Sequence, residues 1–303
     1  MEQIKVCWLI PTEPSLRASI QAACPQAQID FCERAELNEQ RIAEAEVVIG
    51  NLPKRWLSEA KALRWLHLES AGAEQYAQEE KLAQDVLLTN STGAYGPAIA
   101  EHMLAGVLSV YKKLNLYREN QKLRVWKNEG KVRSLKGSSV LIVGLGDIGR
   151  EFGWRMKALG CTVTGVKRTP GVCPDYVARL VLMDRIEEEL PQADIVALCL
   201  PSTSETRHFF DQRRLALTRK DCVLVNVGRG ITVDTSALCA LLDQGHFGRL
   251  VLDVVDPEPL PMNNPLWGYD RVILTPHVSG NYNQQSTYDT VIAMALENLQ
   301  RYL

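Results

Sequence analysis

Short apolar segments alternate with longer amphipathic segments along almost the whole chain. The short segments are rich in β-branched residues, as buried strands are, and the segments between them favour amphipathic helices. This alternation is typical of parallel sheets with helices on both faces, so the predicted fold class is α/β. The predicted strands are Ile4–Ile10, Gln28–Cys32, Val47–Ile49, Arg64–Leu68, Val86–Thr89, Ser139–Val143, Thr162–Val166, Ile195–Leu200, Val223–Asn226, Leu250–Val254 and Val272–Leu274.

These strands form two series, which predict two doubly wound parallel sheets of five and six strands. A helical pattern from Ala98 to Leu116 separates the two series and places apolar residues on one face: Ile99, Met103, Val107, Val110 and Leu114. The final segment, Gln284–Leu303, predicts a helix with four residues towards a core: Val291, Met294, Leu296 and Leu299. The order of elements therefore predicts two domains that meet near residues 97 and 98.

Composition is that of an ordinary globular protein, with 303 residues, 46% apolar and 23% charged residues and a net charge of −2. This balance of charge argues against a dedicated nucleic-acid-binding protein. The first residues include Glu2, and the apolar run Val6–Ile10 ends at Pro11, which does not fit a signal peptide. No stretch approaches the ~20 apolar residues that a membrane span needs. We expect a cytoplasmic protein with no nucleic-acid or membrane partner.

The cysteines and histidines do not form a metal-binding pattern. The eight cysteines include no CxxC pair, and several lie in apolar runs, so we expect buried reduced thiols. The five histidines lack the spacing of metal ligands. The sequence therefore predicts no metal site.

A glycine-rich segment lies between a predicted strand and a predicted helix. Ser138–Val143 leads into Gly144-Leu145-Gly146-Asp147-Ile148-Gly149, which fits the pattern GxGxxG. The first glycine permits a tight turn, the second lets the backbone approach a pyrophosphate, and the third allows close packing of helix on strand. The helix N-terminus then offers N–H groups to the anion. The segment therefore predicts a dinucleotide site, with a glycine turn that binds nothing as the alternative.

The end of the following strand is basic. An NAD site places an acid there, to bind the ribose 2′-hydroxyl, but this chain has Lys167, Arg168 and Thr169, and no acid until Asp175. Two cations and a hydroxyl suit a 2′-phosphate. NADP(H) is therefore the expected cofactor, with NAD(H) possible if the two cations are only a solvated turn.

Three later strands are each followed by polar residues, in the segments Asn226–Gly230, Asp253–Pro261 and Thr275–Gly280. Together with the glycine loop, these segments make the chain resemble the D-isomer-specific D-2-hydroxyacid dehydrogenase family. Further matches are Leu68–Ala73, Ala100-Glu101 and Leu198–Thr206, and the resemblance covers roughly residues 65 to 280. It implies a flavodoxin-like substrate domain formed by residues 1–97 with 281–303 and a Rossmann dinucleotide-binding domain formed by residues 98–280.

The resemblance also implies a catalytic set of three residues. Arg229 matches the arginine that binds and polarises the substrate, and a planar guanidinium suits the adjacent carboxylate and ketone oxygens of a 2-oxo acid. His277 matches the acid/base that protonates the ketone oxygen as hydride arrives. Glu258 matches the carboxylate that pairs with this histidine and favours its charged form. The other four histidines lack such partners, so structural roles are expected for His67, His102, His208 and His246.

Binding residues follow from the same resemblance. The substrate contacts that it implies, besides Arg229 and His277, are Leu52, Ala71, Gly72 and Ala73, where peptide N–H groups of the last three hold the carboxylate. Asp253 lies near the nicotinamide in this comparison. The expected cofactor contacts are Gly144, Leu145, Gly146, Asp147, Ile148, Gly149, Lys167, Arg168, Thr169, Leu200, Pro201, Thr206, Val227, Gly228, Asp253, His277, Ser279 and Gly280.

The chain departs from the family pattern at two positions, with Val255 where an aromatic residue is frequent and Ser279 where alanine is common. Glu258 argues against a related formate-oxidising branch, which has glutamine there. Ser279-Gly280, Trp267 and the basic pair look most like the glyoxylate/hydroxypyruvate reductases, so a small 2-oxo acid is the expected substrate.

The segment Leu114–Trp126 corresponds to the dimerisation arm of the family, which implies a homodimer. The alternative to an enzyme is a corepressor-like binding protein on the same scaffold, which uses the nucleotide to set its conformation. The chain has no long disordered or basic tail, which favours the enzyme.

Overall fold

A computed structural model describes residues 3–77, 82–282 and 284–303. Two parallel sheets form the framework, and the α/β fold class with two doubly wound sheets is confirmed. The strands are β1 Ile4–Trp8, β2 Ala27–Phe31, β3 Val47–Ile49, β4 Trp65–Leu68, β5 Leu87–Asn90, β6 Ser139–Val143, β7 Thr162–Lys167, β8 Arg179–Leu182, β9 Ile195–Leu198, β10 Val223–Asn226, β11 Arg249–Leu252 and β12 Val272–Leu274.

Helices connect the strands along the chain. The α-helices are α1 Pro14–Ala23, α2 Glu39–Glu44, α3 Glu74–Ala77, α4 Gly96–Tyr111, α5 Leu114–Lys122, α6 Asp147–Ala158, α7 Ile186–Glu189, α8 Gln212–Leu217, α9 Thr235–Asp243 and α10 Gln285–Tyr302. Short 3₁₀ turns lie at Arg34–Glu36, Lys54–Trp56, Met183–Arg185, Leu190–Gln192, Gly230–Thr232 and Pro265–Gly268. No helix within these described ranges is long and apolar enough to cross a membrane.

The chain divides into two compact units. Unit 1 comprises residues 1–95 and 281–303, and unit 2 comprises residues 96–280. The first boundary lies at Tyr95, compared with residue 97 in the assignment from sequence, because α4 begins at Gly96.

Unit 1 contains a five-stranded sheet in the order β2-β1-β3-β4-β5, with every pairing parallel. The order reverses between β1 and β3, as in flavodoxin-like folds, and ligands in such sheets lie beyond the carboxyl ends of the strands. The core on one side includes Leu9, Val48, Leu66 and Leu68. Polar residues of the loops after β3 and β4 therefore lie at the edge where a ligand is expected.

Unit 2 contains a seven-stranded sheet in the order β12-β11-β10-β9-β6-β7-β8. All of its pairings are parallel, and six of its seven strands, all except β8, correspond to strands predicted from the sequence. The prediction of six strands was wrong by one, because β8 at the sheet edge is short and only Val181 in it is buried. The arrangement around β6 is that of a Rossmann fold.

The predicted helix from Ala98 to Leu116 is two helices. Lys113 adopts a left-handed conformation with φ +58° between α4 and α5, and this breaks the helical path. Consequently Met103 and Val107 are buried as expected, whereas Leu114 is exposed. In α10, Val291 and Leu299 are buried and Met294 and Leu296 are half-buried.

His67 makes the stability of unit 1 sensitive to acid. It is fully buried in β4 and bonded to Thr89 Oγ1 at 2.8 Å, and burial lowers its pKa to about 4. The unfolded chain binds a proton at this residue near pH 6.5 and the folded chain does not, so stability falls as pH drops from about 6.5 to 4. We expect the free energy of unfolding to fall by about 2 kcal/mol between pH 7 and pH 5 because of His67.

Urea unfolding at the two pH values, followed by tryptophan fluorescence, measures this decrease, because Trp65 lies 5.8 Å from His67 between ring centroids. The variant His67→Gln should reduce the pH dependence of stability by about this amount, whereas exposed His208→Gln should not change it. If the free energy of unfolding changes equally with pH in the wild type and in His67→Gln, His67 is not the source of the acid sensitivity.

Candidate active site

The glycine loop lies between β6 and α6. Gly144 has φ +99°, and a side chain there would lie 2.7 Å from the Cys199 carbonyl oxygen. A Cβ at Gly149 would lie 2.2 Å from the carbonyl oxygen of Gly144. Both positions therefore require glycine, as the sequence predicted for a tight turn and close helix packing.

The middle of this loop is open to a ligand. Gly146 is exposed, a Cβ there would meet nothing within 4 Å, and its N–H donates to no described residue. Gly146 also precedes α6 and, as a glycine, provides no side-chain cap to the helix N-terminus. Leu145 is buried against Gly165, and Asp147 and Ile148 are half-buried. The loop thus fits the pyrophosphate of a dinucleotide.

The basic residues lie at the end of β7. Lys167 is the last residue of the strand and half-buried, whereas Arg168 and Thr169 are exposed. Arg168 Nη1 lies 3.9 Å from the Glu205 carboxylate, with both side chains more than 70% exposed. An ion pair this exposed contributes little and leaves the guanidinium available to a phosphate.

The loops after β9 and β10 touch through their backbones. A Cβ at Gly228 would lie 2.5 Å from the Leu200 carbonyl oxygen, so this contact also requires glycine. Thr206 Oγ1 donates to the Pro201 carbonyl at 2.7 Å, and Val227 N donates to Leu198 O at 3.2 Å. The segments predicted to contact the cofactor after β6, β9 and β10 therefore lie together at one edge of the sheet.

Arg229 follows β10 and is half-buried. Its Nη1 donates to the Gly228 carbonyl at 2.8 Å, and its own carbonyl accepts a bond from Thr232 Oγ1 at 2.7 Å. A Cβ at Gly230 would lie 1.8 Å from the Val255 carbonyl oxygen. The backbone around Arg229 is therefore fixed on both sides by glycine contacts.

His277 and Glu258 form a hydrogen-bonded pair. The distance from His277 Nδ1 to Glu258 Oε2 is 2.8 Å, and the other oxygen of Glu258 accepts a bond from Val255 N at 3.1 Å. The Nε2 atom of His277 has no partner among the described residues, and the side chain is 48% exposed. The pair therefore presents one ring nitrogen to a ligand while the other is held by a carboxylate.

The backbone at His277 is unusual. Its φ is +52°, a left-handed conformation that is uncommon for residues other than glycine, although asparagine, aspartate and histidine adopt it more often than the rest. His277 N donates to the Asp253 carbonyl at 2.8 Å, which helps to hold this conformation. Such conformations persist where the surrounding structure fixes them, as at active sites.

Asp253 organises the segment around His277. It is 1% exposed, and its carboxylate accepts bonds from Val278 N and Ser279 N at 3.0 Å and from the hydroxyls of Thr275 and Ser279. Burial alone would raise the pKa of Asp253, but these hydrogen bonds outweigh it and lower the pKa below its ordinary value. Ser279, where alanine is common in the family, thus donates to a buried carboxylate, and Gly280 next to it is half-buried.

His102 belongs to the same network, which sequence analysis missed. Its Nε2 lies 3.1 Å from Thr275 Oγ1 and 3.9 Å from Asp253 Oδ1, although 173 residues separate His102 from Thr275. The only local signal was a histidine on the otherwise apolar face of a long helix.

In unit 1, the residues predicted to hold a carboxylate lie in the loop after β4. The N–H groups of Ala71, Gly72 and Ala73 donate to no described residue, so three consecutive donors are open. Such a run of N–H groups can bind an anion. Leu52, which the resemblance placed at the substrate, is fully buried in the core of unit 1, and its carbonyl accepts a bond from the Tyr76 hydroxyl at 2.9 Å.

All eight cysteines are free thiols, and most are buried as expected, but Cys173 is exposed. The described part of the chain contains no cluster of three or more histidine, cysteine, aspartate or glutamate residues that could hold a metal ion.

Comparison with known proteins gives a consistent result. Residues 104–279 match the family model of the D-isomer specific 2-hydroxyacid dehydrogenase NAD binding domain. A solved structure of a D-isomer specific 2-hydroxyacid dehydrogenase family protein from Aeromonas salmonicida is 32% identical, with a TM-score of 0.89, over 99% of this chain and 96% of that chain.

Curated relatives carry different substrate names. Glyoxylate/hydroxypyruvate reductase B of Citrobacter koseri is 29% identical over 280 residues, which are 88% of this chain and 84% of that protein. D-3-phosphoglycerate dehydrogenase of Methanocaldococcus jannaschii is 27% identical over 271 residues, 86% of this chain. The chain spans only 51% of the length of this second relative.

Proposed function

This chain belongs to the D-isomer specific 2-hydroxyacid dehydrogenase family, and we propose that it is a reductase that converts small 2-oxo acids to D-2-hydroxy acids with NADP(H). The observation that carries the proposal is the 2.8 Å hydrogen bond between His277 and Glu258, which leaves His277 Nε2 facing no described residue. A histidine held in this way is suited to general acid catalysis.

Each residue of the catalytic set has a defined task. Protonated His277 donates the proton of Nε2 to the ketone oxygen of the substrate, where negative charge develops. Glu258 accepts the bond from Nδ1, which orients the ring so that Nε2 faces the substrate. Arg229 binds the carboxylate and polarises the ketone through its planar guanidinium. A nicotinamide dinucleotide bound at the glycine loop would supply the hydride for this reduction.

In unit 1, the open N–H groups of Ala71, Gly72 and Ala73 are proposed to bind a carboxylate group. Peptide N–H groups suit this role because they are fixed donors and add no further charge that must be desolvated. Support for the assignment is that no described residue uses these donors.

Glyoxylate and hydroxypyruvate are the proposed substrates. Ser279-Gly280 and Trp267 resemble that branch, and a relative named as a glyoxylate/hydroxypyruvate reductase is similar along 88% of the chain. Selection between small acids that differ by one or two carbon groups depends on about 1–3 kcal/mol of pocket contacts.

Initial rates test the proposed reaction. NADPH or NADH oxidation would be followed at the nicotinamide absorbance against glyoxylate, hydroxypyruvate, pyruvate, phenylpyruvate and a branched 2-oxo acid. We expect turnover with NADPH and either of the first two acids. If no combination of cofactor and acid gives turnover, the proposed reaction is contradicted and the nucleotide-dependent binding protein is favoured. If NADH gives higher rates than NADPH, only the proposed cofactor preference is overturned.

Lys167 and Arg168 are proposed to bind the 2′-phosphate of NADP(H). The variants Lys167→Ala and Arg168→Ala should each raise the KM for NADPH about tenfold and leave the KM for NADH within about twofold, because only NADPH carries the phosphate. Steady-state kinetics with each cofactor at saturating glyoxylate measures both constants.

Arg185→Ala is the matched control, since Arg185 is another exposed arginine of unit 2 that pairs with a glutamate. Its KM values should equal those of the wild type. Equal losses with NADPH and NADH in the Lys167 and Arg168 variants would contradict the assignment.

We further propose that the protein is a homodimer and that the segment Leu114–Trp126 contacts the second copy. Apolar side chains are exposed along it, with Leu123 72% exposed and Trp126 fully exposed. Exposed apolar residues grouped in one segment are typical of an interaction surface.

A further inference from the structure

Arg34 joins the loops that follow two neighbouring strands of unit 1. It opens the 3₁₀ turn Arg34–Glu36, shortly after β2. Its Nε donates to the carbonyl of Asn51 at 3.2 Å, and its Nη2 donates to the carboxylate of Glu69. Asn51 follows β3 and Glu69 follows β4, so one guanidinium bridges the carboxyl ends of both strands.

Glu69 places a carboxyl group in a buried position beside Arg34, which is unfavourable unless the group is paired. It is 7% exposed, and burial raises the pKa of its carboxyl group while the charge of Arg34 opposes this rise. Removal of one partner would leave a buried charge without compensation. The backbone of Glu69 is fixed as well, because Tyr95 donates its hydroxyl to the Glu69 carbonyl at 2.6 Å.

The two bridged loops carry the groups that would hold a carboxylate. Ser70 Oγ lies 2.8 Å from the Gly72 carbonyl and 3.2 Å from Asn51 Oδ1, so its single hydroxyl hydrogen can bond either within its own loop or to the loop at Asn51. Asn90 Nδ2 donates to the Ala71 carbonyl at 2.7 Å. These bonds use the carbonyl groups of the loop and leave its N–H groups open.

We propose that Arg34 is a positioning residue for substrate binding, which sets the distance between the loop at Asn51 and the loop at Glu69–Ala73. A guanidinium is a rigid planar fork that can donate to two acceptors at once, whereas the single ammonium of lysine cannot reproduce both bonds. Arg34 acts through the loops and does not itself touch the substrate. The inference rests on the proposed reduction of 2-oxo acids.

Arg34→Lys tests the bridge, because it keeps the positive charge beside Glu69 and loses the two-pronged geometry. We expect the KM for glyoxylate to rise about tenfold with kcat within about twofold, since a loosened carboxylate site weakens ground-state and transition-state binding equally. The KM for NADPH should not change. Arg41→Lys is the matched control, because Arg41 is a half-buried arginine of the same unit, paired with Asp30 at 3.3 Å.

Oxalate provides a readout independent of turnover, as a dicarboxylate that cannot be reduced by hydride at a ketone. Its Kd for the NADPH-bound protein, from NADPH fluorescence, should also rise about tenfold in Arg34→Lys. If the wild type binds oxalate but reduces no 2-oxo acid, a higher oxalate Kd in Arg34→Lys still supports the positioning role, although the proposed reaction fails. If the wild type neither binds oxalate nor reduces a 2-oxo acid, the positioning role and the proposed reaction are both overturned.

Unchanged KM and oxalate Kd in Arg34→Lys would overturn the positioning role and leave the proposed reaction intact. Equal losses in kcat and in both KM values would also overturn it, because they indicate a general structural defect. Should this variant not fold, Glu69→Gln replaces it, since the amide keeps an acceptor for Arg34. Its KM for glyoxylate and oxalate Kd should rise about threefold, and unchanged values would overturn the proposal.

Discussion

An enzyme that carries His277→Asn is expected to reduce glyoxylate with a kcat about 10²–10⁴ lower than the wild type, since a positioned general acid contributes about this much. Asparagine is the suitable replacement because it tolerates the left-handed backbone that His277 adopts at φ +52°. It has no acidic proton to give to the ketone oxygen. The loss in kcat should far exceed any change in the KM for NADPH, because the change removes a proton-transfer step.

His208→Asn is the matched control for this experiment. His208 is a second histidine of unit 2 with a left-handed backbone, at φ +47°, and it is exposed. Its substitution should leave kcat unchanged. A His277→Asn enzyme with the kcat of the wild type would show that another group protonates the substrate.

Arg229→Ala is expected to lower kcat/KM for glyoxylate by about 10²–10⁴. A guanidinium that grips two substrate oxygens makes two charge-assisted hydrogen bonds of about 1.5–3 kcal/mol each. Arg229→Lys should recover part of the loss, because an ammonium keeps the charge but not the planar fork. Steady-state rates with saturating NADPH measure these ratios.

Arg213→Ala serves as the control, because Arg213 is an exposed arginine of unit 2 that pairs with Glu187. Its kcat/KM should match that of the wild type. Thermal unfolding of each variant separates lost binding from lost folding, since Arg229 also bonds to the Gly228 carbonyl. A wild-type kcat/KM in folded Arg229→Ala would contradict the proposed substrate contact and, with it, the proposed reaction.

The framework of both sheets was predictable because buried parallel strands are short apolar runs with clear ends. Val223–Asn226, for example, begins and ends where the sequence predicted. Strand β8 was not predictable in this way, because an edge strand buries only part of its surface and Arg179 in it is exposed. The break at Lys113 was missed since nothing in the local pattern marks a residue that adopts a left-handed conformation.

The candidate site was predictable where its residues form a motif. The requirement for glycine at positions 144 and 149 follows from the spacing, and the backbone contacts there agree with it. Contacts between distant residues could not be predicted from one sequence. His102 meets Thr275, and Arg34 meets Glu69, only because the fold brings separate elements together, and neither pair has a local signature.

The contact between Gly230 and Val255 limits how this protein could be redesigned. The Val255 carbonyl leaves no room for a side chain at Gly230, and the N–H of the same residue bonds to Glu258. The peptide segment that supports Arg229 is therefore pressed against the segment that supports the partner of His277. Loop grafting to accommodate a larger acid would have to exchange both segments together. A shift in either segment would displace Arg229, the proposed substrate-binding residue, and His277, the proposed proton donor.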